Sequence, residues 1–187
     1  MENTIHFVDV YFTEERIESL FFIIIGSVTL LLSAFFLFII KYSFFKGMSI
    51  PLLMIGLIQL TVGISVYNRS LKDIERVTYF IKYKPEKIQT EELPRMEKVM
   101  NNFTIYKWIE VILIVASIIL LIIFYSSPQT YWKGLALGLL IQASVMLSLD
   151  VLAEKRGQTY MKKLQEIHNA SFTSLLYKWR LNLSQPN

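Results

Sequence analysis

The sequence predicts an all-α polytopic membrane protein. Residues 1–187 form one domain of four transmembrane helices, a helical hairpin extends helices 2 and 3 beyond the bilayer, and a C-terminal helix lies on the same side. Three observations predict it. Four apolar blocks, Leu20–Ile40, Ile50–Tyr67, Trp108–Tyr125 and Trp132–Val151, approach or exceed the roughly 20 residues that cross a bilayer. Hydrophobic residues make up 53% of the chain and the mean hydropathy is +0.44, high for a soluble domain. The connection from Tyr67 to Tyr106 is long and charged, with 8 of the 19 basic residues and 6 of the 15 acids.

The first block, FFIIIGSVTLLLSAFFLFII, carries no charge and is apolar on every side, as a helix in lipid must be. Residues 1–18 before it are acidic. HFVDVYF is apolar enough to rest at the headgroups or to stay an unstructured tail. Thr13 is a fair N-cap, and Glu14 and Glu15 suit the positive end of a helix dipole, so the first helix is expected to start near residue 13. No cleavable signal peptide is expected, because the first apolar run starts late and follows acids. Gly26, Thr29 and Ser33 form a small-residue stripe of the kind that lets helices approach closely.

KYSFFKGMSI reads as a short outer loop, and Pro51 fits the first turn of the second helix. On that helix Gly56, Gln59, Gly63, Tyr67 and Ser70 recur at intervals of three or four. The apolar strip then continues past the bilayer through Leu71, Ile74 and Ile81. Lys84-Pro85 ends the arm. Thr90, Glu91 and Glu92 look like a new start, with Pro94 in its first turn. The returning arm puts Leu93, Met96, Met100, Phe103 and Tyr106 on one face. Facing strips and a short turn over 67–106 predict an antiparallel hairpin.

Pro128 closes the third helix. The fourth carries Gly134-x-x-x-Gly138 with Gln142 on the same face, a helix-contact spacing. It then runs on, through Ala153, Gly157, Tyr160, Leu164 and Ile167, into a C-terminal helix over 152–183. There Phe172, Leu175, Leu176, Trp179 and Leu183 share a face suited to a membrane surface or to further bundle packing.

With four spans, the termini and the long hairpin share one side. That side holds sixteen Lys and Arg residues, against Lys41, Lys46 and Lys133 on the other. Short loops rich in Lys and Arg stay cytoplasmic, so both termini are expected in the cytoplasm of a cell that carries the protein in its inner membrane.

Two polar layers stand out. Gln59 and Gln142 fall at similar depth near mid-membrane, where a hydrogen bond between them is the simple reading. Arg69, Glu110 and Asp150 fall together at the inner edge, and Arg69 is expected to pair with one or both acids. The chain has no cysteine, and its two histidines, His6 and His168, lie in the tails. Disulfides and thiolate sites are excluded, and no catalytic or metal-ligating motif is present. No cofactor is expected, and the mixing of acids with bases argues against nucleic acid.

The leading expectation is a non-enzymatic membrane protein that contacts the lipid bilayer and a protein partner or another copy of itself. Leu71, Ile74, Met96, Met100 and Phe103 are the candidate contact residues. A regulator, an assembly factor or an immunity-type protein fits. The alternative is a small oligomeric channel or transporter lined by Gln59 and Gln142, with Arg69, Glu110 and Asp150 at its inner mouth.

Overall fold

The computed structural model describes residues 2–183, with side chains described for residues 3–167 and for residue 169. It is built from α1 (Glu2–Phe38), α2 (Ser43–Tyr83), a π-helical turn (Ile88–Glu92), α3 (Leu93–Phe124) and α4 (Thr130–Leu183). All four long helices contain a stretch long and apolar enough to cross a membrane. The chain is an all-helical, membrane-embedded protein. At about 1.5 Å per residue, the 41 residues of α2 reach roughly 60 Å, twice the hydrocarbon thickness. The surplus gathers at the end that holds the start of α1, the last turns of α4 and the α2–α3 turn, called here the charged end.

Two boundaries differ from expectation. α1 begins at Glu2 and runs straight through the cap-like Thr13. The reason is tertiary: Val8, Tyr11 and Phe12 are buried in the charged-end core, and that burial carries the helix back past the local start signal. α2 begins at Ser43, so Pro51 lies inside the helix rather than in its first turn. Proline there removes one backbone hydrogen bond and crowds the carbonyl four residues back. That residue is Gly47, which carries no side chain.

At the end away from the charges, α1, α2 and α4 close tightly. A Cβ on Gly134 would run into the Phe44 carbonyl, and one on Gly47 into the Tyr131 carbonyl. The small-residue stripe of α1 meets α2: a Cβ on Gly26 would come within 2.9 Å of the Leu60 nitrogen. The Ser33 hydroxyl donates to the Ser49 carbonyl at 2.8 Å. Small side chains there bring backbones into contact where lipid supplies no hydrophobic force.

At the charged end the core takes residues from every helix: Val8, Tyr11 and Phe12 of α1, Val77, Phe80 and Ile81 of α2, Ile88 of the turn, Met96 of α3, and Tyr160 and Leu164 of α4. The Tyr11 and Tyr160 rings stack with centroids 3.9 Å apart, a contact contributing about 0.5–1.5 kcal/mol beyond its area. The expected arms over 67–106 lie in α2 and α3, on either side of the π-helical turn. The arms run on as long helices, but among the described residues α2 and α3 do not pack along each other. The extensions of α1 and α4 add their own apolar strips to the same core, so the unit is a four-helix bundle. α3 packs along α4 and touches neither α1 nor α2 with its backbone; only its Met96, Glu110 and Ser117 are buried. The backbone of α4 is one helix through the C-terminal segment, while the apolar face expected from Phe172 to Leu183 lies outside the described side chains.

Candidate functional site

The space left by the stand-off of α3 is a cavity of about 540 Å³ lined by all four helices. Phe22 of α1, Ile58 and Val62 of α2, Leu113 of α3 and Met146 of α4 form its apolar wall. A volume of this size lies within the roughly 300–1,000 Å³ of small-molecule sites. Ile58 and Val62 of that wall remain about half exposed. Toward the charged end its wall changes character to Glu15, Glu18, Arg69, Glu110, Asp150 and Arg156.

Each of these is placed by helix spacing. Glu15, Glu18, Ser19 and Phe22 follow Tyr11 on one face of α1 at intervals of three and four. Tyr106, Glu110 and Leu113 do the same on α3, as do Met146, Asp150 and Ala153 on α4. Arg69 faces the cavity but does not pair with Glu110 or Asp150, as the sequence had suggested. Its Nη2 donates to Glu15 Oε1 at 3.2 Å and its Nε reaches Asp73 Oδ2 at 3.1 Å. Glu15 had been read as an acid suited to the positive end of the α1 dipole, not as a partner for Arg69. Arg156 is taken in turn by Glu18. Glu110 and Asp150 are left facing each other, with Glu18 and Glu154 adding negative potential around Asp150. Glu110 is 5% exposed, and its carboxyl hydrogen-bonds to that of Asp150.

Farther from the lipid, an ion network ties the bundle together. Glu92, 1% exposed, accepts from Arg95 Nη2 at 2.6 Å, Arg76 Nη2 at 3.1 Å and the Tyr160 hydroxyl at 3.0 Å. Arg76 continues to Asp73 at 3.0 Å, which leads through Arg69 to Glu15 and Ser70. Burial pushes the Tyr160 hydroxyl above its ordinary range, and the Glu92 charge pushes it further. Burial likewise raises Tyr11, helped by Glu15. The Glu15 carboxyl is raised by burial against the opposing pull of Arg69. Glu92 had been read only as part of a helix start. The signal was the Glu92-x-x-Arg95 spacing, but Arg76 and Tyr160 come from elements distant in sequence.

The two glutamines meet. Gln142 Nε2 donates to Gln59 Oε1 at 2.8 Å, with the Thr29 hydroxyl 3.5 Å away, and the side chains are 3% and 0% exposed. The five candidate contact residues separate. Met96 is fully buried, taking the Tyr11 hydroxyl at 4.0 Å on its sulfur. Ile74 and Met100 pack against the same core. Phe103 lines the cavity, and Leu71 stands free at 49% exposure. Among the described residues no group of three His, Asp or Glu side chains is placed to hold a metal ion. Comparison of the chain with protein-family models, curated proteins and solved structures finds no match.

Proposed function

We propose that this chain is a non-enzymatic membrane protein that works by binding, and that the cavity beside α3 is its binding site. The observation that carries this reading is the mixed wall. Apolar side chains from four helices surround the volume, and a buried pair of acids, Glu110 and Asp150, lines its polar end. A site of that make-up selects a membrane-resident molecule with an apolar body and a polar end. The charged end, turned to the cytoplasm by the Lys and Arg count, is where a protein partner or a second copy would sense occupancy. The core and the ion network join all four helices there. A regulatory role therefore fits better than a pore, since Gln59 and Gln142 are closed on each other and leave this chain no polar lining at mid-membrane.

The test is native mass spectrometry of the protein extracted gently from its own membrane, compared with Val62→Trp, which fills the cavity. The wild-type protein should carry a bound small molecule that the variant lacks. Equal adducts on both would end the reading.

Protein contact through α2 is a second reading, favoured by one observation: Leu71, Tyr79 and Tyr83 stand exposed along that arm. Leu71→Asp and Tyr83→Asp should then release a partner that the wild-type protein retains on purification.

A further inference from the structure

Every charged side chain on the cavity wall is matched within the protein. Arg69 is held by Glu15, Arg156 by Glu18, and the Glu110 carboxyl by that of Asp150 through a hydrogen bond. A charged head entering there must break one of these pairs or lie beside them unpaired. An uncompensated buried charge is strongly unfavourable. An uncharged head meets neither cost.

Uncharged polar groups on the same wall are left unmatched. Asn102 and Tyr106 line the cavity from α3, four residues apart and so on one face of the helix. Among the described residues nothing pairs with the Asn102 amide or the Tyr106 hydroxyl. An amide offers two donors and an acceptor, and a phenol both donates and accepts, a set that suits hydroxyl and ester groups. Their level fits as well. Tyr106 lies just before the apolar run that begins at Trp108, and the same face of α3 continues to Ile109 and Leu113. Phe22, Ile58 and Val62 complete that wall from α1 and α2. A head held by Asn102 and Tyr106 thus sits at the membrane interface, with the apolar wall leading from it into the span.

Resting on the reading of the cavity as a binding site, we infer that its ligand is an uncharged amphiphile. Its hydroxyl- or ester-bearing head lies on Asn102 and Tyr106, and its hydrocarbon body runs along Phe22, Ile58, Val62 and Leu113. Cationic and anionic amphiphiles with the same chain fit the apolar wall but find no free counter-charge beside it.

The experiment uses the whole protein in nanodiscs of zwitterionic lipid, doped in turn with three probes that share one hydrocarbon chain. These are monooleoylglycerol, which is uncharged, oleyltrimethylammonium, permanently cationic, and oleyl sulfate, permanently anionic. Native mass spectrometry of the protein released from the discs reads the bound fraction of each probe against its mole fraction in the bilayer. Monooleoylglycerol should bind saturably and at least about tenfold more tightly than either charged probe. Asn102→Leu with Tyr106→Phe should weaken it at least about fivefold, as the loss of two hydrogen bonds implies, and leave the charged probes unchanged. Neither side chain is paired within the protein, so this double variant should keep the wild-type thermal midpoint. Val62→Trp should abolish saturable binding of all three. If a charged probe binds the wild-type protein as tightly as monooleoylglycerol, or the double variant binds all three as the wild type does, the uncharged-head assignment is overturned while the cavity remains a binding site. If no probe binds saturably, or Val62→Trp leaves binding unchanged, the cavity reading falls with it.

Discussion

The two ends of this bundle are held together by different physics. Away from the charges, α1, α2 and α4 meet backbone to backbone through Gly26, Gly47, Gly134, Ser33 and Ser49, with one buried amide pair at mid-depth. Toward the charged end the helices are joined by an aromatic and aliphatic core and by ion pairs that radiate from Glu92 and Asp73. Between these two clamps lies the cavity, where α3 leans on α4 alone. The contrast teaches that rigidity is concentrated where no ligand fits. The region between is left open because small residues are few on α3: apart from Ala116 and the buried Ser117, its span beyond Glu110 is built of Ile, Leu, Val and Phe.

The comparison is broken most severely at Glu92. Glu92→Ala leaves Arg76, Arg95 and the Tyr160 hydroxyl without their shared acceptor, and breaking a buried ion pair costs about 3–5 kcal/mol. The thermal midpoint in detergent should fall by roughly 10 °C or more, at about 2–4 °C per kcal/mol for a chain of this size. A fall no greater than that of an exposed control such as Glu75→Ala would mean that the network is not what holds the charged end. Gly134→Leu attacks the other clamp by pressing a side chain into the Phe44 carbonyl. Overpacking of this kind costs about 1–3 kcal/mol, which should appear as a smaller but clear loss of thermal stability.

The glutamine pair separates these two from a subtler contribution. Gln142→Leu strands a buried amide and should cost on the order of 0.6–2 kcal/mol. Removing both partners leaves no orphan, so Gln59→Leu with Gln142→Leu should cost less than the sum of the single changes in a double-mutant cycle. Strict additivity would show that the bond contributes nothing. The smallest effect is expected in the cavity itself: Val62→Trp should shift stability by no more than about 0.5 kcal/mol, since the added ring enters empty space.

Much of this contrast was legible from the residues. The span positions, the small-residue stripe of α1, the GxxxG face of α4 and the equal depth of Gln59 and Gln142 all follow from spacing along single helices. What was not legible needed two helices at once. HFVDVYF looked like a tail because its partner strip, Tyr160 and Leu164, lies far along the chain. Glu15 was assigned to the dipole of α1 rather than to a neighbouring helix, so Arg69 was assigned to Glu110 and Asp150. Met96 and Ile74 looked like docking residues because the hairpin was imagined without the apolar strips of α1 and α4. The cavity could not be read at all, since it arises from a contact that α3 fails to make.

The most direct measurement of that missing contact uses the absence of cysteine from the sequence, so that introduced pairs report without background. Thr29→Cys with Gly56→Cys joins α1 to α2, where a Cβ on Gly56 lies 3.2 Å from Thr29 Cγ2. Phe22→Cys with Leu113→Cys spans the cavity from α1 to α3, whose backbones do not come within contact distance. A disulfide needs Cα atoms within about 7 Å. Under mild oxidation in membranes, with free thiols counted by mass, the first pair should close and the second should stay reduced. Ready closure of Phe22→Cys onto Leu113→Cys would mean that α1 and α3 pack together, and that there is no cavity between them.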